Sequence, residues 1–133
     1  MSDWNNQIIE EFRANEGKVG PFKGAPLLLL TTTGARSGQH RTAPVMYLHD
    51  GNRLIIFASK AGAPTNPDWY HNLVAHPQAT VEVGTETFDV TAIVTTGDER
   101  DHLYARQAKL YPGFAEYQTK TTRKIPVIAL QRR

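Results

Sequence analysis

Two tight-turn signals, Asp50-Gly51-Asn52 and Gly84-Thr85, each separate a pair of apolar, β-branched runs, and they constrain the fold more than any other feature. So short a turn joins only antiparallel neighbours, because a parallel partner needs a crossover of about a dozen residues or more. Thr42 to His49 and Leu54 to Ser59 flank the first turn; Ala79 to Val83 and Thr87 to Thr95 flank the second. Leu27 to Thr33 and Ile125 to Leu130 add two more runs, for about six strands. Helical spacing falls between them. Trp4, Ile8, Ile9 and Phe12 mark a helix over 3–14 with Asp3 as its cap, and a loop at Gly17, Gly20, Pro21 and Gly24 ends it. Asn66-Pro67 caps and opens a second helix through Trp69, Tyr70, Leu73 and Val74. Leu103, Tyr104, Gln107 and Leu110 mark a third over 98–110, and 114–119 forms a further helical turn after Pro112-Gly113. Strands and helices do not alternate as βαβ units, so the expected class is mainly β with inserted helices (α+β): a small, mostly antiparallel barrel.

With 133 residues the chain can build one domain around one core, read as an N-terminal helix and loop over 1–20 and a barrel domain over 21–133. The net charge of +2 is too small, and its basic residues too dispersed, to suggest nucleic acid. The absence of cysteine excludes disulfides, iron–sulfur ligation and thiolate catalysis. His40, His49, His71, His76 and His102 show no metal spacing with carboxylates, so no metal is expected. No apolar run reaches signal-peptide or membrane-spanning length, which points to the cytoplasm with at most weak peripheral membrane contact.

Chemistry concentrates in two loops. The apolar run Leu27 to Leu30 leads through threonines into a loop with Gly34, Arg36, Ser37, Gly38 and Arg41. Glycines let backbone N–H groups approach a ligand, and arginines bring charge. Neither the Walker nor the dinucleotide glycine spacing is present. A second loop, Ser59-Lys60-Ala61-Gly62, also follows a strand and offers a cation. Either alone is more often a solvated turn; the pair suggests a phosphate-bearing cofactor. Trp69 opens the central helix, and Tyr111, Phe114 and Tyr117 recur every third residue, either as core or as the walls of a flat pocket.

The segments TTTGARSGQHRTAP, ASKAGAPTNPDWYHNLVAHP and LYPGFAEYQTKTTRKIPVIAL, in that order, resemble the deazaflavin (F420)-dependent nitroreductase family, the split-β-barrel F420H2-dependent reductases. The resemblance spans about Phe12 to Leu130 and implies a single-domain split barrel using coenzyme F420, its ring at the barrel mouth. By position, Arg41 and Lys60 would hold the phosphate, with Arg36 a weaker grip because Ala35 stands where relatives often carry a basic residue. Ser37, Ser59, Ala61 and Gly62 would add loop contacts, Pro44 and Met46 would border the ring, and Trp69 and Asn72 would line its far side.

Tyr111 and Tyr117, with Phe114 and Trp69, would form the acceptor pocket, without a clear acid or base. Phe114 lacks the hydroxyl that relatives carry in the middle of this segment, which counts against nitroimidazole acceptors. The implied activity is hydride transfer from reduced deazaflavin to an electron-poor quinone, enone or nitro compound. An FMN-binding split-barrel oxidoreductase and a non-catalytic F420 carrier are the alternatives. A homodimer is left open.

Overall fold

The computed structural model describes residues 3–20 and 26–133, apart from the side chains of residues 3, 4 and 61. The expectations for Asp3 as a cap, for the Trp4 side chain and for the loop at Pro21 and Gly24 lie outside the described residues.

Six strands, β1 (Leu27–Thr33), β2 (His40–Asp50), β3 (Arg53–Phe57), β4 (Gln78–Val83), β5 (Glu86–Val94) and β6 (Val127–Arg132), close into a barrel. Their order around it is β1-β2-β3-β6-β5-β4, and every pairing is antiparallel. Closure removes the exposed sheet edges that an open sheet of these strands would leave. The turn between β2 and β3 has shrunk to Gly51-Asn52, with Gly51 at φ +60°, a conformation glycine adopts without steric cost.

Strand periodicity sorts side chains between the bore and the outer wall. Leu28 and Leu30 point inward with Val45, Leu54, Ile56, Val81, Val90, Ile128 and Leu130. Leu27 and Leu29 point outward beneath helix α1 (Asp3–Ala14), whose Ile8 and Phe12 bury against them. The four-leucine run is therefore continuous rather than alternating because both faces of β1 are covered. Arg13 also ties α1 to β4 through a two-pronged bond to Glu82, at 3.0 and 2.9 Å.

A second outer cluster forms where α3 (Gly97–Leu110) and α4 (Gly113–Thr119) cover Leu48, Ile55, Phe57, Val127 and Ala129. Helix α2 (Asp68–Ala75) follows β3, and its Leu73, Trp69 and Tyr70 pack on the bore residues.

Several boundaries shift from the sequence expectation by one or two residues, β2 starting at His40 and β3 ending at Phe57 among them, and two of the shifts have a visible cause. Helix α2 begins at Asp68 with Pro67 in the cap position, one residue later than Asn66-Pro67 suggests. The Asn66 carbonyl instead accepts a 2.6 Å bond from the Arg123 guanidinium, a stronger partner than a backbone N–H. The last strand starts at Val127 rather than Ile125, because the Ile125 N–H donates to Gln118 and Pro126 has none to give.

At the β2–β3 turn the Asp50 carboxylate accepts from Arg53 at 2.6 Å and from Arg106 at 2.8 Å, which holds its pKa below the ordinary value of 3.8. A carboxyl depressed in the folded state stabilises above its unfolded pKa, and that stability is lost as pH falls through the folded value. The urea midpoint of the native protein should therefore drop more between about pH 7 and about pH 3 than that of Asp50→Asn. Equal drops in the two proteins would show that Asp50 carries none of the acid sensitivity.

Candidate functional site

A cleft of about 980 Å³ opens at the end of the barrel that α2 covers. Asn5 of α1, the β1–β2 loop, the start of β2, Lys60 and the first turn of α2 line it. The β1–β2 loop is held by its own backbone: Gly34 N–H donates to Gln39 O at 2.7 Å, and Gly38 N–H to Gly34 O at 3.0 Å. Ser37 Oγ accepts from Gln39 N–H at 3.1 Å, and a Cβ on residue 34 would stand 2.5 Å from that oxygen. A side chain at residue 34 would turn Ser37 Oγ out of this bond and crowd Gln39 O, 3.2 Å away. The loop thereby presents Arg36 outward on a rigid turn.

Asn72 joins this loop to α2. Its carbonyl accepts from Ala35 N–H at 2.9 Å, and its amide donates to Thr32 Oγ1 at 3.0 Å. Buried on α2, it fixes the spacing between the two walls of the cleft. Opposite stands Lys60, on a 3-10 turn over Lys60–Gly62 with Lys60 itself at φ +46°. Its ammonium makes one long bond, 3.3 Å, to Thr65 Oγ1.

The charges of the cleft are available. Among the described residues Arg36 and Arg41 are exposed and bond no protein acceptor. Arg13, Arg53, Arg100 and Arg106, by contrast, are all paired with carboxylates. Asp68 is the one carboxylate among the described lining residues, so three cations face one anion there. Such an excess beside accessible backbone suits an anionic ligand. Among the described residues no group of His, Asp and Glu could hold a metal ion.

Of the expected cofactor contacts, the cleft brings together Arg36, Ser37, Arg41, Lys60, Trp69 and Asn72. Ser59, Ala61 and Gly62 shape the Lys60 turn rather than line the cleft: Ser59 O accepts from Gly62 N–H at 2.9 Å. Pro44 and Met46 lie further along β2, and Met46 packs between the α1 cluster and the α3–α4 cluster on the outer wall.

Tyr111 and Tyr117 pack on that same α3–α4 cluster as Met46. Both are half-buried, and among the described residues neither hydroxyl has a partner. Phe114 is different: it is 8% exposed, edge-on to Phe57 at 5.8 Å and to Tyr117 at 5.2 Å. It supports the tyrosines from below.

Sequence reasoning missed the arginines that build this region. Arg123 donates to Ala58 O, Ser59 O, Ala63 O and Asn66 Oδ1, at 3.1, 2.9, 3.0 and 2.6 Å. Burial lowers its pKa. In the sequence it sits between Thr122 and Lys124, where it reads as a solvated turn. Arg100 is buried on α3 and bonds Ile125 O twice and Gln118 Oε1 once. A signal for Arg100 does exist, since it extends the helical spacing of Leu103, Tyr104 and Gln107 by one step.

A model of the family described as F420H(2)-dependent quinone reductase matches residues 4–132. An F420H(2)-dependent quinone reductase of Mycobacterium tuberculosis is 41% identical over 129 residues, covering 92% of this chain and 85% of its own length. A solved F420-H2 dependent reductase (FDR-A) is 42% identical, with a TM-score of 0.73 over 80% of this chain and 94% of that one. Another solved structure, described as a domain-swapped dimer, is 38% identical with a TM-score of 0.75, covering 95% and 93% of the two chains.

Proposed function

The chain belongs to the F420H(2)-dependent quinone reductase family, and from that premise we propose how its own residues carry out quinone reduction with coenzyme F420. The observation that carries the reading is the convergence of Arg36, Arg41 and Lys60, none with a carboxylate partner among the described residues, on one cleft walled by Trp69. An anionic, elongated cofactor fits this donor set, since phosphate and carboxylate groups take charge-assisted bonds from guanidinium and ammonium.

When bound, F420H2 supplies the hydride; the protein supplies binding, orientation and exclusion of water. Arg41 and Lys60 would hold the phosphate, and Arg36 would reach the anionic tail. Ser37 Oγ, already accepting from Gln39 N–H, keeps its own proton free to donate to the same anion. Asn72 sets the separation of the walls. The outer face of β2 runs from Thr42 at the cleft past Pro44 to Met46, beside which Tyr111 and Tyr117 have hydroxyls without a partner among the described residues and Phe114 packs beneath. A quinone lodged there receives a hydrogen bond at its carbonyl oxygen from a tyrosine Oη as negative charge develops on that oxygen.

Titration with F420, followed by oxidation of F420H2 against quinone, enone and nitro acceptors, tests the assignment. Saturable F420 binding and fastest turnover with quinones are expected. A protein that purifies with bound flavin and ignores F420 would overturn it. Binding without turnover on any acceptor would leave a carrier instead.

Among the described residues no helix is long and apolar enough to cross a membrane. The proposed setting is the cytoplasm, and the proposed assembly is a homodimer, after the solved relative described as a domain-swapped dimer.

A further inference from the structure

The loop that carries Lys60 is held in place from a distance in sequence. Ala58 and Ser59 precede Lys60, and Ala63 and Asn66 follow it; all four offer their oxygens to one guanidinium, that of Arg123. Chain leaving a strand has carbonyls without ladder partners, and Arg123 satisfies three of them at once. A planar fork with five donors can do this; an ammonium cannot reach four acceptors spread across a loop. Lys60 itself occupies the left-handed region at φ +46°, which a residue with a Cβ adopts only where its surroundings dictate it.

The same network reaches α4. Gln118 donates from Nε2 to Arg123 O at 2.7 Å, and its Oε1 accepts from Arg100 at 2.8 Å and from Ile125 N–H at 3.1 Å. Gly62 lies so close to α4 that a Cβ there would stand 2.9 Å from both Tyr117 O and Lys120 Cβ. The Lys60 turn and the helix bearing Tyr117 thus form one bonded unit.

We propose that Arg123 is a positioning residue for the anion site: it sets the Lys60 turn in the shape that captures the cofactor phosphate and ties that turn to the acceptor helix. The proposal rests on the role given above to Lys60. In the full chain, Arg123→Gln should keep the native far-UV spectrum while the amides of Gly62 and Ala63 exchange about tenfold faster without ligand. Its Kd for F420 should rise about tenfold, with kcat at saturating F420H2 within about threefold of wild type. Arg123→Lys should recover part of the affinity.

In a Lys60→Ala background, Arg123→Gln should weaken F420 by less than about twofold, because nothing remains to be positioned. Unchanged affinity in Arg123→Gln, or an equal loss in both backgrounds, would overturn the proposal. Should Arg123→Gln fail to fold, Asn66→Ala removes only the 2.6 Å bond and should raise Kd about threefold; an unchanged Kd and exchange rate would again overturn it. If the wild-type protein ignores F420, the functional reading fails, and exchange at Gly62 and Ala63 still decides whether Arg123 sets the turn.

Discussion

Lys60→Ala is expected to weaken F420 binding about ten- to a hundredfold, the loss of one charge-assisted hydrogen bond worth about 1.5–3 kcal/mol. The side chain is exposed and its only bond among the described residues is the 3.3 Å contact to Thr65, so the change should leave stability nearly untouched. The substituent still has to adopt a positive φ, so the turn keeps its strain and the effect isolates the charge. Arg41→Ala should cost a similar factor. Lys60→Arg, which keeps the charge on a side chain of similar reach, should retain most of the affinity. Fluorescence titration with F420, beside a urea melt of each variant, separates affinity from folding. Affinities within about twofold of wild type for both alanine variants would rule out the phosphate assignment.

Arg100→Ala is expected to cost about 2–4 kcal/mol of stability, because it leaves a buried carbonyl without a donor and opens a cavity. Arg100 is 8% exposed and donates to Ile125 O from Nε at 3.0 Å and from Nη2 at 2.7 Å. Its guanidinium also lies 4.6 Å from the centroid of the Tyr104 ring. Removal orphans the Ile125 carbonyl, strips a donor from Gln118 and opens a cavity beside Tyr104. Arg106→Ala, which removes an ion pair to Asp50 nearer the surface, should cost about 1 kcal/mol or less. Urea unfolding of the two variants side by side gives the comparison. A loss below about 1 kcal/mol for Arg100→Ala would mean that water replaces the guanidinium at no great cost.

Much of the fold was legible in local signals. Asp50-Gly51-Asn52 and Gly84-Thr85 marked hairpins that exist, and the Leu27–Thr33 strand has the bounds its apolar run suggested. The β-turn residues and the two-residue period act between neighbours, so a single sequence displays them. Helix faces were less legible. Gln107 falls at a helical period and is wholly buried, with neither amide atom bonded among the described residues, whereas Leu110 at the same period is 61% exposed. Periodicity gives the angle of a face but not how far the covering layer extends over it.

The site divides along the same line. Loop composition marked Arg36, Arg41 and Lys60 as candidate anion ligands, and three-residue spacing grouped Tyr111, Phe114 and Tyr117, although Tyr111 caps the end of α3 and only Phe114 and Tyr117 stand on α4. Whether those cations were free or already paired was not visible, since their competitors for carboxylates lie far off in the chain.

What the sequence determined by itself is therefore local: antiparallel pairing through its turns, the inward and outward alternation of its strands, and a family-specific pair of basic loops. Tertiary structure alone decided which charges stay unpaired, that Phe114 supports the tyrosines from beneath, and that Arg123 builds the Lys60 turn. Those outcomes depend on partners tens of residues apart, 65 between Arg123 and Ala58, brought together only when the barrel closes. A turn written in adjacent residues can be read from them; a clamp made of a guanidinium and four distant oxygens exists only once the chain has folded.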